Sequence, residues 1–309
     1  MPRILAITGG VGGAKLALGL ARLLGPDEVA FAANTGDDFE HLGLEICPDL
    51  DTLTYTLAGL ANPETGWGRR DETWHFLETL EVLGGEAWFR LGDRDLALHL
   101  HRTRLLSQGM TRTEVAATIA TSLGIEHRLL PMSDDPVRTT VVTAGGPLAF
   151  QHYFVRDRCE PAVIGFEFRG ADSAQPSPPL LGWLNDADGV VICPSNPFVS
   201  VDPMLSIPGL REALKSARAP VVAVSPIVGG AALKGPAAKM MRELDLPATT
   251  VQVAEHYGDL LDGFVLDRQD QALQARIPVP SVVAQTVMVT LRDRMDLART
   301  VLDFVADLG

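Results

Sequence analysis

The 309-residue chain is poor in lysine, with only Lys15, Lys215, Lys234 and Lys239. It holds three cysteines, and no apolar run is long enough to span a bilayer. Cys47, Cys159 and Cys193 are scattered and form no C-x-x-C pair, which speaks against a zinc site or a disulfide framework. They are read as reduced thiols of a cytoplasmic protein. The start, Met-Pro-Arg and then a short apolar run, lacks the h-region and cleavage site of a signal peptide. The balance of 26 Lys+Arg against 39 Asp+Glu leaves a net charge of −13, which disfavours a nucleic-acid partner. Whatever anion an acidic chain handles must be met by locally gathered cations.

What is present has the proportions of a soluble globular protein, with 46% hydrophobic and 21% charged residues. Arg3–Thr8 is a short apolar run closed by Gly9-Gly10-Val11-Gly12-Gly13. Ala14–Leu24 follows with helical periodicity, and Val29–Asn34 is apolar again. This is a βαβ opening. Helical patterns then dominate, at Leu50–Leu60, Thr73–Leu83, Arg94–Leu106 and Glu114–Leu123, the last opened by a Thr111-x-x-Glu114 capping box. Strands are expected at Arg128–Met132, Thr139–Thr143, Leu148–Val155 and Val163–Arg169, with a hairpin turn at residues 144–147. βα units resume around Gly189–Cys193, Pro220–Val224 and Gly263–Leu266, and one apolar helix face runs from Leu291 to Val305. The expected fold is α/β: a doubly wound, mostly parallel Rossmann-like sheet (residues 1–45 and 127–309) with an inserted helical subdomain (46–126). Ligands of such sheets bind beyond the carboxyl ends of the strands.

Six segments fall where chemistry is expected. Gly9–Gly13 with Lys15 follows the first strand, so backbone amides and a helix N-terminus suit a phosphate. It fits neither familiar template. Lys15 stands where a Rossmann fingerprint has its third glycine, and Ala14-Lys15-Leu16 is not Gly-Lys-Ser/Thr. Asn34-Thr35-Gly36-Asp37-Asp38 and Cys47-Pro48-Asp49-Leu50-Asp51-Thr52 supply four carboxylates. One is expected to cap a helix, and a pair beside phosphate would hold Mg²⁺. Asp95, His99 and Arg102 share a helix face, and on spacing alone this is a solvated face with ion pairs. Ser133-Asp134-Asp135 lies between strands and suits a turn. Ser195-Asn196 follows a strand and suits either a base or ribose, or its own loop. Ser225–Gly230, with Lys234 and Lys239 downstream, is a second glycine loop suited to phosphate or to turn structure. Neither a Ser-His-Asp order nor H-E-x-x-H appears.

Seven segments in order, from Gly9-Gly10-x-Gly12-x-x-Lys15-Leu16 through Asn34-Thr35, Pro48-Asp49-Leu50-Asp51-Thr52, Leu91-Gly92-Asp93-Arg94-Asp95, Met132–Val137 and Pro194–Pro197 to Ser225-Pro226-Ile227, resemble the 2-phospho-L-lactate transferase family of coenzyme F-420 biosynthesis. The resemblance implies a specific reaction. The ribityl hydroxyl of 7,8-didemethyl-8-hydroxy-5-deazariboflavin (Fo) attacks a guanosine-diphospho donor carrying phospholactate, phosphoenolpyruvate or a phosphoglycerate variant. GMP leaves, and Mg²⁺ assists. It implies that Gly9, Gly10, Gly12, Gly13 and Lys15 cradle the diphosphate, and that Asn34, Ser195 and Asn196 hold the nucleoside. Ser133, Asp134 and Asp135 are further substrate-binding candidates. Metal ligands would come from Asp37, Asp49 and Asp51, and the catalytic candidates are Asp49, Asp51 and Asp93. Asp51 also contacts the deazaflavin in this resemblance, as does Arg90 where the family often has Lys. Arg cannot shuttle a proton as Lys can, so Arg90 keeps only a binding role. A homodimer is implied as well. Two alternatives are a non-catalytic nucleotide-sugar-binding regulator of the same fold and an NAD-dependent oxidoreductase. The Asp-rich segments disfavour the first, and Lys15 disfavours the second.

Overall fold

A computed structural model describes residues 2–232 and 234–309. Strand β1 (Ile4–Thr8) feeds helix α1 (Gly10–Leu23), which returns to β2 (Val29–Ala33). A hairpin of β3 (Phe39–His41) and β4 (Leu44–Ile46) leads into four helices: α2 (Pro48–Leu57), α3 (His75–Val82), α4 (Asp93–Ser107) and α5 (Arg112–Ser122). The capping box expected at Thr111 is present and opens α5. β5 (Arg128–Pro131) then rejoins the main sheet. β6 (Arg138–Thr143), β7 (Gly146–Ala149) and β8 (Val163–Arg169) form a separate antiparallel sheet. The chain continues through α6 (Pro178–Asn185), β9 (Gly189–Ile192), α7 (Asp202–Leu205), α8 (Leu210–Ser216) and β10 (Val221–Val224). A small hairpin, β11 (Ile227–Val228) and β12 (Ala231–Ala232), precedes α9 (Ala237–Glu243), α10 (Thr250–Tyr257), β13 (Gly263–Asp267), β14 (Ser281–Ala284) and α11 (Leu291–Leu308).

The main sheet has the order β14-β13-β10-β9-β1-β2-β5, and every pair in it is parallel. From β1 the chain winds outward through β2 and β5, then returns to β9 on the other side. The switch point is therefore between β1 and β9. This is the doubly wound order expected from the sequence, and it aims the loops after β1, β2 and β9 at one crevice. β1, β2, β9 and β10 are buried along their whole length, as strands covered on both faces must be. One core layer packs α1 and α11 against the sheet through Leu16, Leu20, Leu297 and Val301. The other packs α6, α8 and α10 through Leu180, Leu214 and Val253.

Two expectations require correction. Residues 148–155 do not continue as a strand. β7 ends at Ala149, and His152–Arg156 forms a single π-helical turn that buries Tyr153. The Asp95–His99–Arg102 face of α4 is not solvated. His99 and Arg102 are 1% and 3% exposed, while Leu100 beside them is 61% exposed. The helix turns a polar face inward because a buried carboxylate on α2 awaits it.

Candidate active site

The glycine turn is built by close approach. Gly10 has φ +63°, a left-handed conformation that favours glycine. A Cβ on Gly9 would lie 2.5 Å from Ser200 Cβ and 2.7 Å from Asp49 Oδ2. One on Gly12 would collide with the Pro194 carbonyl, and one on Gly13 with Thr8 Oγ1. The β1–α1 and β9–α7 loops thus touch backbone to backbone at the switch point. Gly9 N donates to Ser195 Oγ at 3.1 Å.

Asp49 ties the turn to β2. Pro48 starts α2, and Asp49 lies in its first turn rather than at the cap, which is Cys47. Its Oδ1 accepts from Gly10 N at 2.7 Å and its Oδ2 from Asn34 Nδ2 at 2.9 Å. Asn34 Nδ2 also donates to Val199 O at 3.2 Å, and Asn34 Oδ1 accepts from Gly36 N at 2.8 Å. Burial pushes the Asp49 carboxyl up to about 6, against the lowering effect of Asn34 and Gly10. Asp37, close enough to feel that charge, is raised well above the carboxylate range, first by burial and then by Asp49. Asp37 Oδ1 is buried with no hydrogen-bond partner, as are the Thr8, Thr35 and Thr139 hydroxyls and Asp38 Oδ1. Such a set is costly in an apolar setting and is what a polar ligand or ion would satisfy. Asp38 Oδ2 meets Arg112 at 3.2 Å.

Asp51 faces elsewhere. Both of its oxygens meet the Arg102 guanidinium, one of them Nη1 at 3.1 Å, and both residues are buried. Arg102 Nη1 also lies 3.1 Å from His99 Nδ1, so that nitrogen must accept and the ring proton sits on Nε2. Nε2 is 3.2 Å from Asp95 Oδ1, which accepts from Tyr55 Oη at 2.5 Å. Asp51 therefore ends a row of five side chains, in which Asp95 is half-buried and His99 Nε2 comes near Asp95 without a hydrogen bond. A carboxylate already neutralised by a guanidinium is a poor metal ligand, so the expected metal set narrows to Asp37 and Asp49. These fit a hard cation: a buried carboxylate pair, one oxygen of it unpartnered. Among the described residues, no group of three or more His, Cys, Asp or Glu side chains is arranged to hold a metal.

Asp93 is engaged at the start of another helix. Its carboxylate accepts from Thr73 Oγ1, His75 N and Phe76 N at 2.5, 3.2 and 3.1 Å, so it secures the start of α3 at the surface. Arg90 is exposed and lies over the Trp74 ring, 4.3 Å from its centroid. The 133–135 segment is a braced turn. Ser133 Oγ donates to Gln175 O and accepts from Asp135 N, Asp135 Oδ2 accepts from Gln175 N, and Asp134 Oδ1 accepts from Thr113 N. Their polar groups are engaged in bracing this turn. Asn196 Oδ1 accepts from Phe198 N, the local reading of that residue, while Ser195 reaches the glycine turn.

Lys15 Nζ donates to Met288 O at 3.0 Å. Burial, with Arg294 and Lys234 nearby, lowers its pKa. Arg294 carried no sequence signal, sitting in an amphipathic helix with other charges. An aromatic cluster was also invisible: Phe39, His41, Trp88, Phe89 and His152 converge from three segments, with Phe39–Phe89 and Trp88–His152 centroids 4.9 and 5.0 Å apart.

The family model described as 2-phospho-L-lactate transferase CofD matches residues 4–297. A phosphoenolpyruvate transferase of Kitasatospora aureofaciens is 41% identical, covering 97% of each chain. A 2-phospho-L-lactate transferase of Methanosarcina mazei is 37% identical over 96% of this chain and 99% of its own. A crystal structure of a UPF0052-family protein from Bacillus halodurans shares the fold, with a TM-score of 0.63 at 15% identity over 98% and 99% of the two chains. With the glycine turn, Asn34 and the Pro48–Thr52 segment assembled at one switch point, the chain belongs to the 2-phospho-L-lactate transferase family.

Proposed function

We propose that this transferase moves a phospholactyl-type group, with phosphoenolpyruvate as one candidate, from a guanosine-diphospho donor to the ribityl hydroxyl of Fo. The observation that carries the reading is Asp49 bridging Gly10 and Asn34 beside the unpartnered Asp37 oxygen. The arrangement sets a carboxylate pair against a helix N-terminus that welcomes phosphate. The relatives named for phosphoenolpyruvate and phospholactate transfer support the substrate class.

Transfer between phosphate esters needs positioning and charge neutralisation more than covalent help. The hydroxyl oxygen of the acceptor forms a bond to the distal phosphorus. The bridging P–O bond breaks, GMP departs, and the hydroxyl proton passes to solvent. The amides of Gly12 and Gly13 in the first turn of α1, with Lys15, hold the diphosphate, while the Gly9 and Gly10 amides are engaged by Ser195 and Asp49, which fix the turn. Asp37 and Asp49 would hold Mg²⁺, which supplies charge neutralisation on phosphate oxygens. Asp51, buried and clamped by Arg102, fixes α4 against α2. The aromatic cluster around Trp88 and Phe89 offers a flat ring a stacking wall, and Arg90, next in sequence and lying over Trp74, supplies a cation from the same segment. No helix among the described residues is long and apolar enough to cross a membrane. A homodimer is part of this proposal.

The test is direct. Purified protein, Fo and Mg²⁺ are incubated with each guanosine-diphospho donor in turn, and products are followed by mass spectrometry. An Fo phosphodiester with GMP supports the reading. If neither Fo nor a guanine nucleotide binds, the transferase reading falls and the nucleotide-sugar-binding regulator takes its place.

A further inference from the structure

Three cations of this acidic chain gather along one face of α1, and none of them makes a salt bridge among the described residues. Val11, Lys15 and Gly19 lie at i, i+4 and i+8 on that helix. Lys234 sits at the level of Val11: its Nζ lies 3.2 Å from where a Gly66 Cβ would stand, and Val11 Cγ1 is 2.9 Å from the same point. Lys15 Nζ is next, reaching Met288 O just before α11. Arg294 enters at the level of Gly19, where its backbone carbonyl packs. Lys234 donates only to a backbone carbonyl, Thr65 O at 2.7 Å, and Arg294 Nε is buried without a partner. Among the described residues, no carboxylate lies within 4 Å of any of the three, in a chain with 39 acidic residues. Asp293, the acidic neighbour of Arg294, is turned to the Val289 and Thr290 amides.

Topology gives this cluster its place. Lys234 follows β10 and β12, and Met288 and Arg294 follow β14, all on the β9 side of β1. Asp37 and Asp49 follow β2, on the other side. The glycine turn lies between. The buried, unpartnered Arg294 Nε is costly, and an anion that satisfies it beside the two lysines gains charge-assisted hydrogen bonds.

We infer that Arg294 and Lys234 join Lys15 in an anion site for a phosphate oxyanion of the diphosphate, on the flank opposite the carboxylate pair. This deepens the donor assignment above and rests on it for the identity of the ligand. The site divides labour: carboxylates on the β2 side take a cation, and cations on the β10 side take phosphate oxygens directly.

The experiment titrates wild type, R294Q and K234Q with inorganic pyrophosphate, GDP and guanosine, calorimetrically and without added metal, at two salt concentrations. Both variants are expected to lose at least about tenfold in affinity for pyrophosphate and GDP and to leave guanosine unchanged. Wild type should also show the steeper salt dependence. Lys234 is exposed, so K234Q tests the site even if R294Q folds poorly. Pyrophosphate that fails to bind wild type, or binds both variants equally well, overturns the site. GDP that binds all three proteins alike overturns it too, with the guanine-nucleotide reading left standing. Pyrophosphate binding that depends on both cations, with no GDP binding, supports the anion site and removes the guanosine donor.

Discussion

The carboxylate of Asp51 and the guanidinium of Arg102 form a buried ion pair between α2 and α4. The pair ties α4 to α2, the helix whose first turn also carries Asp49. Removing the cation strands a buried carboxylate, which typically costs about 3–5 kcal/mol. Arg102→Leu is expected to lower unfolding free energy by about that amount in urea denaturation. Arg102→Lys should recover only part of it, since an ammonium cannot make the two-pronged contact. A variant as stable as wild type would show that the pair contributes nothing net.

Folded Asp37 and Asp49 hold protons more tightly than the unfolded chain does. Their contribution to stability is therefore present below the ordinary carboxylate range and is lost as pH rises through about 6, the value for Asp49. A divalent cation needs the deprotonated pair, so its binding should tighten from pH 5 to 7 and release a proton. Calorimetry of Mg²⁺ binding in two buffers of different ionisation heat checks this. Asp37→Asn should weaken Mg²⁺ binding and leave only the dependence set by Asp49, centred at about 6.

Gly12 faces a carbonyl rather than a movable side chain. Gly12→Ala is expected to cost about 1–3 kcal/mol through overpacking, and to weaken nucleotide binding by opening the turn against Pro194. Equilibrium unfolding and a nucleotide titration on the same sample measure both effects.

Asp93 belongs to the family-like segment, yet its oxygens are spent on Thr73, His75 and Phe76. Asp93→Ala is expected to speed amide exchange at His75 and Phe76, lower the denaturation midpoint and leave Mg²⁺ affinity unchanged. A loss of metal binding at unchanged stability would restore Asp93 to the site.

The doubly wound sheet was legible because its strands are short apolar runs punctuated by glycine, and because helix periodicity filled the gaps between them. The glycine turn, Asn34 and Asp49 were legible because they sit at the ends of the first strands and the start of the next helix, positions that topology alone brings together. Long-range pairing was not. Nothing in the spacing of Asp95, His99 and Arg102 says that this face turns inward, since only the Asp51 carboxylate 51 positions before Arg102 explains it. The same limit hid Arg294, which approaches Lys15 from the far end of the chain. It also made Asp93 look chemical, because a carboxylate that holds a helix start and one that serves catalysis are the same residue type.

The most direct test of the proposed reaction is the mass of the product formed from Fo, Mg²⁺ and a guanosine-diphospho donor, with Asp49→Asn run in parallel. Wild type is expected to yield an Fo phosphodiester and one equivalent of GMP, and Asp49→Asn to lose most of that rate while remaining folded. Absence of the phosphodiester with every donor, in protein shown to bind both Fo and guanine nucleotide, would contradict it.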